Sequence, residues 1–308
     1  MKNSGKPLSY TLARDFRLNK YKYLMILPVL AFFITFAYLP MYGLIIAFQD
    51  FRVHLGISGS RWVGFRHFEA FFNDPFFFRL LRNTFSISIL SIIFGFPAPI
   101  ILAILLNEVR NTVFKRTVQT ITYMPFFISM VVVCSLIVNF SSVNGIFSQI
   151  SVFFGGEPRN FLMHPQYFYP IFVLSGIWET IGWNSIIFLA ALASIDQEQY
   201  EAAYIDGAGR FRRIWSITLP NLFPIIMVLF ILRMGGILNV GFEKIILLYN
   251  PNTFQVADVI STFVYRRGIH GGAFSFATAV GLFNSVVNVF FLVIANTLSR
   301  KFSENSLF

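Results

Sequence analysis

The sequence predicts an all-α, polytopic membrane protein with about six transmembrane helices. Of its 308 residues, 56% are hydrophobic and only 12% are charged, and the mean hydropathy is +0.67. A soluble domain carries about 25% charged residues. The apolar residues form continuous runs long enough for helices, of which about 20 residues cross a bilayer core of about 30 Å. Because a helix satisfies its own backbone hydrogen bonds in lipid, continuous runs favour helices over a barrel, whose strands alternate.

The predicted spans follow one another along the whole chain. The first run is too long for a signal-peptide core and no small-residue cleavage site follows it, so we expect it to be retained. The spans are predicted at 24–48, 84–106, 118–140, 167–195, 217–238 and 276–298. A shorter apolar stretch at 146–154 is predicted to be interfacial or re-entrant. Prolines inside the runs predict kinks; they are Pro28, Pro40, Pro97, Pro99, Pro125 and Pro224.

Lysine and arginine near the helix ends predict the orientation. The basic N-terminal segment, 1–23, and the tail, 299–308, are predicted to be cytoplasmic, on either side of a transmembrane domain at 24–298. Arg210, Arg212 and Arg213 place the connection at 196–216 on the same side. The segment at 49–83 runs against this rule, because it is predicted outside yet is rich in arginine. Its aromatic part, WVGFRHFEAFFNDPFFFRLLRNTF, fits an interfacial helix with an aromatic belt or a docking platform for an extracytoplasmic partner.

Several function classes are excluded by the composition. The net charge of +10 would suit nucleic acid only on a soluble basic domain, and no polar run is long enough to form one. Cys134 is the single cysteine and the four histidines are scattered, so we expect no metal site, disulfide or cofactor. The chain has no G-x-x-x-x-G-K-[ST] phosphate-binding loop, and no convergent catalytic set appears. We therefore expect a protein that is not an enzyme.

A polar segment, EAAYIDGAGRFRRIWSITLP at 201–220, separates two predicted spans. Helix-forming residues run to Asp206, and Gly207 and Gly209 follow; a glycine after a helix supplies the left-handed conformation that commonly ends it. A second helix then begins, and Pro220 marks the bend into the next span. Its aromatic residues, Tyr204, Phe211 and Trp215, are of the kind enriched at protein interfaces. The pattern alone suits either a docking element or a simple connecting loop.

The spacing E-A-A-x3-G-x9-I-x-L-P in this segment resembles the signature of the transmembrane subunits of binding-protein-dependent ABC importers. It is carried by Glu201, Ala202, Ala203, Gly207, Ile217, Leu219 and Pro220. Other stretches resemble the sugar-permease branch, especially its complex-oligosaccharide or polysaccharide-type members; they include KYKYLMILPVLAFFITFAYLPMYGLIIAFQDF, YMPFFIS and FSFATAVGLFNSVVN. The resemblance extends from Asn19 to the C-terminus.

The resemblance implies a type I importer permease fold in a bacterial cytoplasmic membrane. It makes the loop at 196–220 a coupling element for a dimer of separate ATPase subunits. The coupling positions would be Glu201, Ala202, Ala203, Asp206, Gly207, Gly209, Leu219 and Pro220. A second, similar permease subunit would complete the pore, and an extracytoplasmic solute-binding protein would deliver a sugar, in particular an oligosaccharide. An ABC permease for another solute remains the alternative.

Charged residues inside predicted spans indicate where a substrate passes, because burying a charge in a bilayer is costly. Glu179 lies in the fourth span and Arg233 in the fifth. Trp183 shares a helix face with Glu179, and Trp178 and Asn184 lie on adjacent faces. An aromatic ring with amide and carboxylate neighbours suits a sugar. The alternatives are interhelical polar contacts, a Glu179–Arg233 ion pair, and an Arg233 side chain that reaches the interface.

A secondary transporter driven by protons or sodium is the main competing class. Such proteins often show inverted repeats and several ionisable groups within their spans. Ionisable residues are few in these spans and the sequence shows no obvious internal repeat. The sequence therefore favours the ABC importer.

Overall fold

Six helical segments in the described residues are long and apolar enough to cross a membrane. The computed structural model describes residue 16 and residues 18–302, with side chains through residue 300. The helices are α1 (Lys20–Phe48), α2 (Arg66–Phe72), α3 (Phe77–Glu108), α4 (Thr112–Tyr123), α5 (Met130–Ser141), α6 (Ile146–Phe153), α7 (Pro165–Ala193), α8 (Gln197–Ile205), α9 (Arg210–Met234), α10 (Phe242–Leu248), α11 (Ile260–Val264) and α12 (Phe274–Phe302). The candidate spans are α1, α3, α5 with α6, α7, α9 and α12.

Short elements complete the chain. A two-stranded antiparallel sheet pairs β1 (Gln49–Asp50) with β2 (Arg61–Trp62). Single helical turns occupy Gly56–Gly59, Met124–Phe127, Phe161–Met163, Pro251–Thr253 and Phe254–Ala257, and a π turn follows α11 at Tyr265–His270. The predicted cytoplasmic segments at 1–23 and 299–308 lie mostly outside the described residues. Their side of the membrane stays a prediction.

Three long helices widen into a π turn just before a proline. The π turns Ile34–Tyr38, Ser91–Gly95 and Ile214–Thr218 lie in α1, α3 and α9. Each ends two residues before a proline, at Pro40, Pro97 and Pro220. Proline lacks an N–H donor and its ring crowds the carbonyl four residues earlier, so the regular hydrogen-bond ladder cannot continue there. The wider turn carries the helix past the proline.

The sequence prediction of one continuous helix at 118–140 is wrong. The chain leaves α4 through a 3₁₀ turn at Met124–Phe127, and Ile128 has extended backbone with φ −82° and ψ 137°. Helix α5 then begins at Met130, with Ser129 at its N-cap. Pro125 lies inside the 3₁₀ turn, where its missing N–H and fixed φ favour the break. The shorter apolar stretch at 146–154 does form a helix, α6.

The segment between α9 and α12 is part of the core rather than a solvent-exposed loop. Ile245, Leu248 and Val259 from this segment pack with Phe168 and Phe172 of α7 in one buried cluster. A second cluster joins α2, α3, α11 and α12, and a third joins α3, α7 and the start of α9. The chain between the fifth and sixth spans therefore folds back among the helices.

Ion pairs tie this returning segment to the chain before and within α3. The buried Asp258 carboxylate accepts hydrogen bonds from two Arg266 nitrogens at 2.8 and 2.7 Å, and Arg79 lies 3.6 Å from it. Arg267 pairs with Asp74 at 2.8 Å. Arg79 is one of the arginines that ran against the orientation rule. Its position is explained by a buried acidic partner, a contact that loop composition does not reveal.

Helix α1 stands apart from the remaining spans. Within the described chain its side chains are exposed over nearly its whole length, and Ala47 near its end is buried. Only its last part, Tyr42–Phe48, packs closely along α12. Most of the apolar surface of α1 is therefore available to lipid or to another chain.

Candidate functional site

The polar segment forms the helix, glycine turn and helix that the sequence predicts. Asp196 caps α8 by accepting a hydrogen bond from the Glu198 N–H at 3.0 Å. At the other end, the Gly207 N–H donates to the Tyr204 carbonyl at 3.0 Å. The Ala208 N–H donates to the Ala203 carbonyl at 2.9 Å. These two bonds make a Schellman motif around Gly207, whose φ is +77°.

The two glycines of this turn have different conformations. Gly207 occupies the left-handed region, which residues with a Cβ rarely adopt. Gly209 has φ −67° and ψ 167°, an extended conformation open to any residue, and it serves as the N-cap of α9. A Cβ at either position would meet nothing within 4 Å. Only Gly207 is therefore required by the backbone.

One face of α8 is fixed to the bundle. The Tyr200 hydroxyl lies 3.0 Å from the Thr218 hydroxyl, and the Asn221 amide donates to Gln199 at 3.2 Å. Tyr200 also packs against the third apolar cluster, which contains Phe188 and Leu222. The two hydrogen bonds fix α8 against α9, and the apolar cluster fixes α8 against α7.

Large exposed apolar side chains lie on both sides of the glycine turn of the helix pair. Tyr204 is 73% exposed, Ile205 84%, Phe211 90% and Trp215 77%. Among the predicted coupling positions, Ala203 and Leu219 are half-buried, and the exposed ones are Glu201, Ala202, Asp206, Gly207, Gly209 and Pro220. An apolar surface held rigidly on a polar segment is the usual mark of an interaction site.

A cavity of about 710 Å³ lies between α3, α7, the end of α9 and the start of α10. It brings together four of the predicted substrate-pathway residues, Glu179, Trp183, Asn184 and Arg233. Trp178 lies elsewhere, in an apolar cavity of about 640 Å³ formed by α5, α6 and α7. A cavity of this size suits a sugar-sized ligand.

Lys244 of α10 is the ion-pair partner of Glu179. Its ammonium lies 3.3 Å from the Glu179 carboxylate, and the Lys244 and Glu179 side chains are only 6% and 13% exposed. It also lies 5.3 Å from the centre of the Phe172 ring, and Gly176 leaves room beside it. Because Phe172, Gly176 and Glu179 have helical spacing, they lie on one face of α7, and this face contacts the Lys244 ammonium. The predicted alternative of a Glu179–Arg233 pair is wrong.

The Lys244 residue was missed by sequence reasoning because it lies outside every predicted span. The sequence signal that could have identified it is its place in FEKIILLY, where a glutamate and a lysine come directly before an apolar run. Gly241, with φ +82°, turns the chain into α10 and brings Lys244 against α7. Burial lowers the pKa of Lys244, and the neighbouring Glu179 carboxylate opposes that shift.

Trp183 is held by the break between α4 and α5. Its ring stacks on Phe126 with centroids 4.5 Å apart and planes 2° apart, and Phe127 meets it edge-on at 5.5 Å. One ring face is therefore covered. Trp183 is still 41% exposed and lines the cavity. The packing on Phe126 and Phe127 therefore holds an accessible aromatic ring at the cavity surface.

Residues 95–304 match the family described as "Binding-protein-dependent transport system inner membrane component". This match spans more than half of the chain. The protein belongs to that family. It is a multi-pass membrane protein with the fold of an ABC importer permease subunit.

Related members of the family match almost the whole chain. "Protein LplB" of Bacillus subtilis (strain 168) is 48% identical over 306 residues, covering 99% of this chain and 96% of LplB. The "Polygalacturonan/rhamnogalacturonan transport system permease protein YteP" of the same organism is 47% identical, covering 94% and 91%. A chain in the solved structure of a bacterial alginate ABC transporter, in complex with an alginate pentasaccharide-bound periplasmic protein, is 42% identical. It superposes with a TM-score of 0.88, covering 96% of this chain and 99% of that chain.

Proposed function

We propose that this chain is one of two permease subunits of an ABC importer and passes an oligosaccharide through the cavity beside α7. The observation that carries the proposal is the cavity itself, which brings together the Trp183 ring, the Asn184 amide and the Glu179–Lys244 pair. Aromatic rings cover the apolar faces of sugars, while Asn184 and Glu179 offer hydrogen-bond partners to hydroxyl groups.

The relatives support an oligosaccharide as the substrate class. YteP is described as a polygalacturonan/rhamnogalacturonan permease, and the superposed structure contains a periplasmic protein bound to an alginate pentasaccharide. In this chain, too, a solute-binding protein would present the sugar at the extracytoplasmic end. The orientation with both termini and the α8–α9 turn in the cytoplasm is part of the proposal.

The helix pair α8–α9 is the proposed docking element for separate ATPase subunits, which would hydrolyse the ATP. Its exposed apolar face fits a groove on a partner, and its bundle-facing contacts at Tyr200 and Gln199 would transmit movement to α7 and α9. Helix α1, exposed along most of its length, offers surface to the second permease subunit.

The proposal is tested by reconstituting the full importer in liposomes and measuring oligosaccharide uptake with the loaded binding protein. Trp183→Ala removes the aromatic ring from the cavity and is expected to lower uptake about 5- to 150-fold, the range that corresponds to about 1–3 kcal/mol for stacking on an aromatic side chain. Trp178→Ala is the matched control, since Trp178 lies on the same helix but lines the other cavity.

Subunit co-purification and thermal stability of both variants must be measured, because Trp183 also packs on Phe126. Equal uptake by the two variants contradicts the assigned route. If a non-sugar solute, and no oligosaccharide, stimulated ATP hydrolysis through the binding protein, the substrate class would be overturned while the importer assignment stood.

A further inference from the structure

The charged groups of the cavity do not cancel. Its lining within the described chain contains three charged side chains, Glu179, Lys244 and Arg233. Glu179 and Lys244 form a close pair at 3.3 Å, so their charges largely offset each other. Arg233 leaves one positive charge at the cavity wall.

Among the described residues, Arg233 has no counter-charge of its own. Its side chain forms no hydrogen bond or ion pair with any other residue that the structure describes, and Asn184 likewise keeps a free amide. Arg233 lies in the last turn of α9, whose helix dipole favours a cation there but supplies no acid group. Arg233 is exposed in the described chain and lines the cavity, so its guanidinium is accessible to a ligand there.

We propose that Arg233 selects substrates that carry carboxylate groups, so that the imported oligosaccharide is acidic; this inference rests on the proposed function. A guanidinium presents paired N–H donors that match the two oxygens of a carboxylate. Because Lys244 already neutralises Glu179, that carboxylate repels an acidic sugar only weakly. Trp183 and Asn184 would contact the remainder of the sugar ring and its hydroxyls.

The test compares two probes that differ only in charge, trigalacturonate and its fully methyl-esterified form. Binding to the purified importer, with its second permease and ATPase subunits but without the binding protein, is measured by equilibrium dialysis at low ionic strength. The wild type is expected to bind the acid about tenfold to hundredfold more tightly than the ester, the range for a charge-assisted contact. Added salt should reduce this preference.

Arg233→Gln is expected to abolish the preference by weakening binding of the acid far more than binding of the ester, whereas Arg233→Lys should keep part of the preference. A merely structural role would change stability or weaken both probes together, without altering their ratio. Arg61→Gln is the matched control, since it removes the same charge from the exposed strand β2.

Equal binding of acid and ester by the wild type overturns the inference and leaves the proposed function standing. Equal weakening of both probes by Arg233→Gln also overturns it. If neither probe binds, the inference fails, and stimulation of ATP hydrolysis by the loaded binding protein decides the proposed function separately.

Discussion

Substituting the first glycine of the α8–α9 turn should uncouple the importer, whereas substituting the second should not. Gly207 has φ +77° and lies at the centre of a Schellman motif. Placing a residue with a Cβ in the left-handed region costs about 1–2 kcal/mol. No atom lies within 4 Å of the new Cβ, so the conformational cost is the whole effect.

That cost is expected to reduce the population of the native turn about 5- to 30-fold relative to its alternatives. If the ATPase docks on this turn, its association should weaken by up to the same factor, the limit that applies where the alternative conformations predominate. The measurement is the apparent affinity of the ATPase subunits for the detergent-purified permease pair, together with ATP hydrolysis stimulated by the binding protein. Thermal unfolding should change little, because the turn lies outside the apolar clusters.

Two variants make the reasoning specific. Gly209→Ala should leave association within about twofold, since its φ of −67° suits any residue and its Cβ would enter open space. Gly207→Asn should recover part of the loss, because asparagine tolerates the left-handed region better than alanine. Comparable losses for Gly207→Ala and Gly209→Ala, or no loss for either, would refute the argument from backbone conformation.

The remaining predictions concern the bundle. Lys244→Met should destabilise the permease by about 3–5 kcal/mol, because it leaves the largely buried Glu179 carboxylate without its ion-pair partner. The double variant with Glu179→Gln should recover most of that stability, as measured by thermal unfolding. No recovery would show that the pair is not coupled. Gly182→Ala should lower expression and unfolding temperature, since its Cβ would overlap the Thr122 carbonyl where α7 crosses α4. Gly281→Ala, which meets nothing within 4 Å, is its control, and equal effects would contradict the close approach.

Sequence reasoning went furthest where structure depends on nearby residues. Span positions follow from the length of apolar runs, and the glycine turn follows from the order of helix formers, Gly207 and Pro220. Sequence reasoning also selected Glu179, Trp183, Asn184 and Arg233, because a charge or hydrogen-bonding group in a span has few uses other than function or packing. What it could not do was distinguish Gly207 from Gly209, since only the backbone angles separate them.

The amino-acid sequence by itself determined that this protein is a helical membrane protein with a polar helix–glycine–helix segment between two spans, because hydropathy and turn chemistry are local properties. The tertiary structure alone decided which groups meet. In the folded chain the predicted third span is interrupted at Ile128, and Trp178 lines a separate cavity. Glu179 pairs with Lys244, which is 65 residues away in the sequence. Such pairings depend on how the segment after α9 folds back between helices, and neither periodicity nor composition encodes that path. The same folding leaves Arg233 as the cation without a partner at the cavity wall, within the chain that the structure describes.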